Sequence, residues 1–236
     1  MTKPGTWLQR VTISVGLIGL GTLTYFQFRP RPLDQPLATE IDGPLPSRAR
    51  RVLVFLHGLG GDLGAGKKMA ERLRAAGLPA NVSIVLLEGP YRRLHGHSWG
   101  QGADEQASSR ARIRARLTEL LPPDGGGPTR LVISGFSQGA GVAADLAAED
   151  PRIGAMASFS PCAMALRGDL PKRGGLRILL AHGRNDDACP VSESRSLAGV
   201  LRQAGVPVKY LEFAGGHTVP ADAVKALVTL VTSDPY

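Results

Sequence analysis

Residues 131–141 read Leu131-Val132-Ile133-Ser134-Gly135-Phe136-Ser137-Gln138-Gly139-Ala140-Gly141. A short apolar β-type run delivers Ser137 to a turn flanked by glycines, and an alanine-rich stretch from Ala140 to Ala148 leaves that turn as a helix. Gly135 to Gly139 form the G-x-S-x-G arrangement of a nucleophile elbow. There a serine sits on a sharp strand-to-helix turn with its Oγ exposed and the helix N-terminus aimed at it. The pentapeptide alone is a weak match, because small residues cluster in many loops. The strand before it and the helix after it carry the reading.

The same alternation extends in both directions. Apolar β-type runs occur at Arg51–His57, Val82–Glu88, Arg130–Ser134, Gly154–Phe159, Arg177–His182 and Val208–Phe213. Helical patterns lie between most of them, near Lys67–Ala76, Asp104–Leu121, Gln138–Glu149, Val191–Ala204 and Pro220–Val231. Nearly continuous apolar strands alternating with helices predict an α/β domain over 51–236, its central sheet mostly parallel and covered by helices on both faces. In such sheets the chemistry gathers beyond the strand carboxyl ends.

Ahead of the domain, Lys3 and Arg10 sit in a short basic segment, residues 1–10. Residues 11–28 carry no formal charge and are rich in Ile, Leu, Val, Gly and Thr. As a helix they would span about 27 Å, enough for a bilayer core. The run ends in Tyr25, Phe26 and Phe28, which suit an interfacial belt better than a cleavage site, so an uncleaved transmembrane anchor is expected, with a cleaved signal or a buried helix as the alternatives. Five prolines between Pro30 and Pro46 mark residues 29–50 as an extended linker. The net charge of +8 is no nucleic-acid signature, because residues 1–51 hold seven Lys/Arg against three Asp/Glu and so supply half of it. Arg110, Arg112, Arg114 and Arg116 form one dense basic run, read as a solvated helix face opposite Ala107, Ala111, Ile113, Leu117 and Leu121.

A serine hydroxyl needs a positioned base, and the base usually needs a carboxylate to orient it. His217, in Gly215-Gly216-His217 just past the last strand, follows Ser137 as the order Ser…Asp…His requires. The acid belongs in the preceding strand-end loop, where Asp186 is favoured and Asp187 retained. Backbone donors for an oxyanion are expected from Gln138, directly after the serine, and from Leu59 in His57-Gly58-Leu59-Gly60-Gly61. His57 and His182 read as structural hydrogen-bonders. His95 and His97 either line a pocket or lie exposed. Trp99 either walls a substrate pocket or packs in the core. Cys162 and Cys189 show no metal spacing, so no metal is expected. Two separate small buried thiols are the favoured reading; the alternative, if their strands are neighbours, is a disulfide that braces the acid loop and favours an extracytoplasmic location.

Taken together, Leu56-His57-Gly58-Leu59-Gly60, Gly135-Phe136-Ser137-Gln138-Gly139, His182-Gly183-Arg184-Asn185-Asp186 ending in Pro190, and the late His217 resemble the phospholipase/carboxylesterase family of α/β-hydrolases, which includes the acyl-protein thioesterases. The resemblance covers roughly residues 51–236. It implies the α/β-hydrolase fold, Ser137 as nucleophile, Asp186 as acid, His217 as base, and Leu59 and Gln138 as oxyanion donors. The expected activity is hydrolysis of a small carboxylic ester or thioester through an acyl-enzyme, with no cofactor and no nucleic-acid partner. A peptidase or polyester depolymerase using the same three residues is the nearest alternative. A non-catalytic membrane-tethered binding protein is the alternative from another class, and such proteins usually lose a member of the triad. Neither the acyl length nor the oligomeric state is legible.

Overall fold

The computed structural model describes residues 36–121, 130–162 and 175–233. Its strands are β1 (Thr39–Asp42), β2 (Arg51–Leu56), β3 (Ser83–Leu87), β4 (Tyr91–Arg92), β5 (His97–Ser98), β6 (Arg130–Phe136), β7 (Ile153–Phe159), β8 (Arg177–Gly183) and β9 (Val208–Phe213). Its helices are α1 (Leu63–Ala75), α2 (Ala103–Leu120), α3 (Gln138–Glu149), α4 (Val191–Gln203) and α5 (Ala221–Thr232). Seven strands form one sheet in the order β1-β3-β2-β6-β7-β8-β9, and β4 and β5 make a separate small hairpin. Every pair in the large sheet is parallel except β1 with β3. This is an α/β-hydrolase arrangement, with its mostly parallel sheet between helices.

Alternation along each strand divides the core into two layers. Val52, Val54 and Leu56 join Ile113 and Leu117 of α2, Val142 and Leu146 of α3, and Leu197 and Leu201 of α4 on one face. Leu53 and Phe55 point the other way, against Met69 and Leu73 of α1 and Val224 and Leu227 of α5. The central strands are buried on both faces, which is why their sequences read as unbroken apolar runs. Asp62 caps α1, its Oδ1 accepting the Ala65 N–H at 3.0 Å.

Two expectations need correction. The linker assigned to 29–50 contains an edge strand, since Thr39–Asp42 pairs with β3 and Leu37 beside it is buried. The segment is held there by side chains from distant helices: Arg74 Nε donates to Asp42 at 2.8 Å and Arg116 Nε to Thr39 Oγ1 at 2.9 Å. Its four residues are all half-buried, so no apolar pattern announced them. The arginine run of α2 is also not a uniformly solvated face. Arg110 and Arg112 are buried, and Arg110 reaches across to Asp145 and Glu149 of α3 at 3.1 Å each. The facing acids on α3 draw the Arg110 guanidinium inward. The basic segment 1–10, the apolar run 11–28 and the start of the linker lie outside the described residues. Among the described residues no helix is long and apolar enough to cross a membrane.

The register brings the strand carboxyl ends level. Leu56 pairs with Gly135, Phe136 with Phe159, Phe159 with Ala181, and Gly183 with Phe213. The loops after β2, β6, β7, β8 and β9 therefore open on one edge of the sheet.

Candidate active site

Ser137 connects β6 to α3 with φ 54° and ψ −120°, outside the basins an L-residue ordinarily occupies. The surrounding structure enforces this. A Cβ on Gly135 would lie 2.2 Å from the Gly139 carbonyl oxygen, and one on Gly139 would lie 2.4 Å from the carbonyl oxygens of Leu56 and His57. Both glycines are demanded by the turn and by the approach of α3 to the end of β2. The Ser137 N–H donates to the Phe159 carbonyl at 2.9 Å, tying the turn to β7.

Asp186 and His217 stand together. His217 Nδ1–H donates to Asp186 Oδ2 at 2.8 Å. Asp186 Oδ1 accepts the N–H groups of Ala188 at 3.0 Å and Cys189 at 2.9 Å. Burial pushes the Asp186 carboxyl up, but the hydrogen bonds from His217, Cys189 and Ala188 outweigh it and hold the group below its ordinary value. The side chain is fully enclosed, whereas Asp187 is exposed. Spacing left those two aspartates open, and the structure places Asp186 against the imidazole. The acid and base loops also touch through backbone. Arg184 N–H donates to Phe213 O and Asn185 N–H to Gly215 O, both at 2.9 Å. A Cβ on Gly183 would lie 2.3 Å from the Gly215 oxygen, so only glycine lets these loops meet so closely.

The serine and the histidine meet through their neighbours. Phe136 packs its ring on the His217 ring, with centroids 4.8 Å apart. Cys162 and Cys189 form a disulfide with a Cα–Cα distance of 5.0 Å, and Cys162 Sγ lies 3.5 Å from Ser137 Oγ. The sulfur atoms and a ring nitrogen of His217 lie within 4.8 Å of one another. With Nδ1 donating to Asp186, His217 keeps an unprotonated Nε2, the form that can accept a proton.

Of the residues singled out as oxyanion donors, Gln138 directly follows Ser137 and Leu59 follows Gly58 in the loop after β2. Among the described residues neither backbone N–H donates to a carbonyl. A Cβ on Gly58 would lie 3.2 Å from Ser137 Cβ, so the loop carrying Leu59 lies against the elbow. The Gln138 side chain is a brace. Its Nε2 donates to Gly100 O at 2.6 Å and its Oε1 accepts the Trp99 N–H at 2.9 Å.

Trp99 is fully buried, its Nε1–H donates to the His57 carbonyl at 2.8 Å, and its ring packs on the His57 ring at 5.0 Å, contacts that tie it to the His57–Leu59 loop. His57 is itself buried. Its Nδ1 donates to Gly58 O at 2.7 Å and its Nε2 accepts the Gly89 N–H at 3.0 Å. Burial, the largest influence, lowers its pKa, so the imidazole stays neutral.

Two supporting residues escaped the sequence reading. Phe136 occupies the variable position of the elbow motif, which specifies no side chain. His182 was expected to be structural, but its contact with the acid was not foreseen. Its Nε2 donates to Cys189 O at 3.0 Å and lies 3.2 Å from Asp186 Oδ2, while its Nδ1 accepts from Ser194 at 2.7 Å. Its place in the Ala181-His182-Gly183 strand end was the available signal.

Comparison with known proteins agrees with this architecture. The Phospholipase/Carboxylesterase family matches residues 44–232. A Bacillus cereus carboxylesterase superposes with a TM-score of 0.70 at 19% identity, covering 88% of this chain and 97% of that one. The esterase PE8 gives 0.69 at 22% identity, over 83% of this chain and 98% of its own. An acyl-protein thioesterase 2 from Zea mays gives 0.63 at 17% identity, over 83% and 97%. No curated protein matches the chain in sequence. At these identities the superpositions speak for the fold, and the family match for descent. The chain belongs to the phospholipase/carboxylesterase family of α/β-hydrolases.

Proposed function

We propose that the chain hydrolyses carboxylic esters or thioesters through an acyl-enzyme. Ser137 Oγ attacks the carbonyl carbon while His217 Nε2 takes the hydroxyl proton, and Asp186 holds the imidazole in the tautomer that can do so. The Leu59 and Gln138 N–H groups receive the developing oxyanion. Collapse of the tetrahedral intermediate breaks the bond to the alcohol or thiol, which leaves with the proton from His217. Water, deprotonated by the same nitrogen, then releases the carboxylic acid and restores Ser137. No step calls for a cofactor.

The observation that carries this reading is the 2.8 Å bond between a fully enclosed Asp186 and His217, beside a serine held in a strained elbow. An apolar acyl portion is supported by Leu59, a large apolar side chain exposed on the loop that lies against the elbow. The apolar run 11–28 and the disulfide support a membrane-anchored enzyme whose domain lies outside the cytoplasm.

Labelling with a fluorophosphonate probe tests the assignment. The wild type should label and Ser137→Ala should not. A wild type that fails to label refutes the catalytic reading, and equal labelling of both misplaces the nucleophile.

A further inference from the structure

The disulfide partners also lie close to the candidate base. Cys162, Cys189 and His217 offer three ligand atoms within 4.8 Å of one another, supplied by the loops after β7, β8 and β9. A tetrahedral zinc ion stands about 2.3 Å from thiolate sulfur and about 2.0–2.1 Å from imidazole nitrogen, which puts its ligand atoms roughly 3.5–3.8 Å apart. The present spread of at most 4.8 Å is within about 1 Å of that spacing. The imidazole is already oriented for a metal. Nδ1 donates to the Asp186 carboxylate, and this carboxylate–histidine arrangement is what fixes ligating histidines in metal sites. Asp186 is in turn held by the N–H of Cys189, one of the two thiol residues.

We infer that the dithiol form of this protein carries a Cys162–Cys189–His217 site for a soft divalent cation such as zinc or cadmium, and that the cation switches the hydrolase off by occupying His217 Nε2. The metal site stands on this geometry alone, and the switch rests on the catalytic reading of His217. Opening the disulfide takes two electrons and two protons from an external dithiol, which becomes a disulfide itself. Binding then releases the two thiol protons as the thiolates bond the metal. The oxidised form has no such site, because a disulfide offers no thiolate. Every newly made chain passes through the dithiol state, so the cation would keep it inactive until the bond closes.

The test uses the full chain, reduced with dithiothreitol, freed of reductant without oxygen, and titrated with cadmium ions. The reduced wild type should bind one equivalent with thiolate-to-cadmium absorption in the ultraviolet, and the oxidised protein should show none. Cys162→Ser should lose most of that absorption, and His217→Gln should weaken binding by about tenfold or more. Ester turnover by the reduced wild type should fall at least tenfold at one equivalent and return with a chelator. Absence of the absorption, equal affinity in His217→Gln, or collapse of the far-ultraviolet circular dichroism on reduction overturns the site. Binding with turnover intact overturns the switch. The absorption is read without substrate, so cadmium binding by a chain that hydrolyses no ester in either redox state sinks the catalytic reading and upholds the metal site.

Discussion

Asp186 and Asp187 show how adjacent, chemically identical side chains acquire different duties. Asp186 is enclosed, accepts two backbone N–H groups and faces His217, whereas Asp187 points to solvent. Asp186→Asn should therefore lower kcat by about 10⁴-fold, because an amide nitrogen facing Nδ1 stabilises the wrong tautomer. Asp187→Asn should change kcat less than about threefold, as expected of a surface substitution. Steady-state ester hydrolysis by the two variants separates them, and equal losses would sink the distinction. Ser137 and His217 stand out as candidates in the sequence because each follows an apolar run and precedes a helix in a fixed chain order. The choice between the aspartates was not, since one residue of spacing does not say which carboxylate the loop turns inward. Phe136 and Trp99 were equally opaque. Their contacts, with His217 and with the His57 carbonyl, join loops 42 to 81 residues apart in the chain, and only sheet register decides such meetings.

At the level of elements, the helices and the parallel strands could be read from periodicity, and β1 could not. An edge strand of four half-buried residues has no apolar signature, and it is secured by Arg74 and Arg116 from helices far along the chain. The α2–α3 contact shows a second limit. An arginine run reads as surface until a partner helix places acids opposite it, as Asp145 and Glu149 do. Breaking this pair should be costly. Arg110→Met should destabilise the fold by about 3 kcal/mol, because the largely buried Asp145 loses its ion pair with Arg110. Replacing both residues, as in Arg110→Met with Asp145→Leu, should recover most of the loss. Urea unfolding of the single and double variants checks this, and additive losses would show that the pair is not coupled.

For the whole molecule, acid is the expected enemy. Burial lowers the pKa of His57 from its ordinary 6.5, so below about pH 6.5 the unfolded chain takes up a proton that the folded one refuses, and stability falls as the pH falls. Asp186 acts in the same direction further down, below its ordinary 3.8. The melting temperature should decline from about pH 6.5 downward, and His57→Gln should flatten the upper part of that decline. A profile unchanged by the substitution would remove His57 from the account. The disulfide closes a sequence separation of 27 residues. In the chain-entropy picture that is worth about 3.5 kcal/mol, so reduction should lower the melting temperature by roughly 10 °C. Calorimetry with and without dithiothreitol reads this directly, and a shift below about 3 °C would mean the unfolded chain gains little freedom. The bond has one more consequence, which follows from where it crosses the sheet. The serine is tied to β7 by its own N–H, while the acid and base loops hang together on β8 and β9. The proposed catalytic atoms thus belong to two half-sites that meet along the seam between β7 and β8, and the link from Cys162 to Cys189 is a rivet driven through that seam. Any breathing of the sheet that parts the halves would pull Ser137 from His217 before either loop unfolded. Amide exchange at Ser160 and at Ala181, on opposite sides of the joint, is the natural gauge of how tightly it is closed.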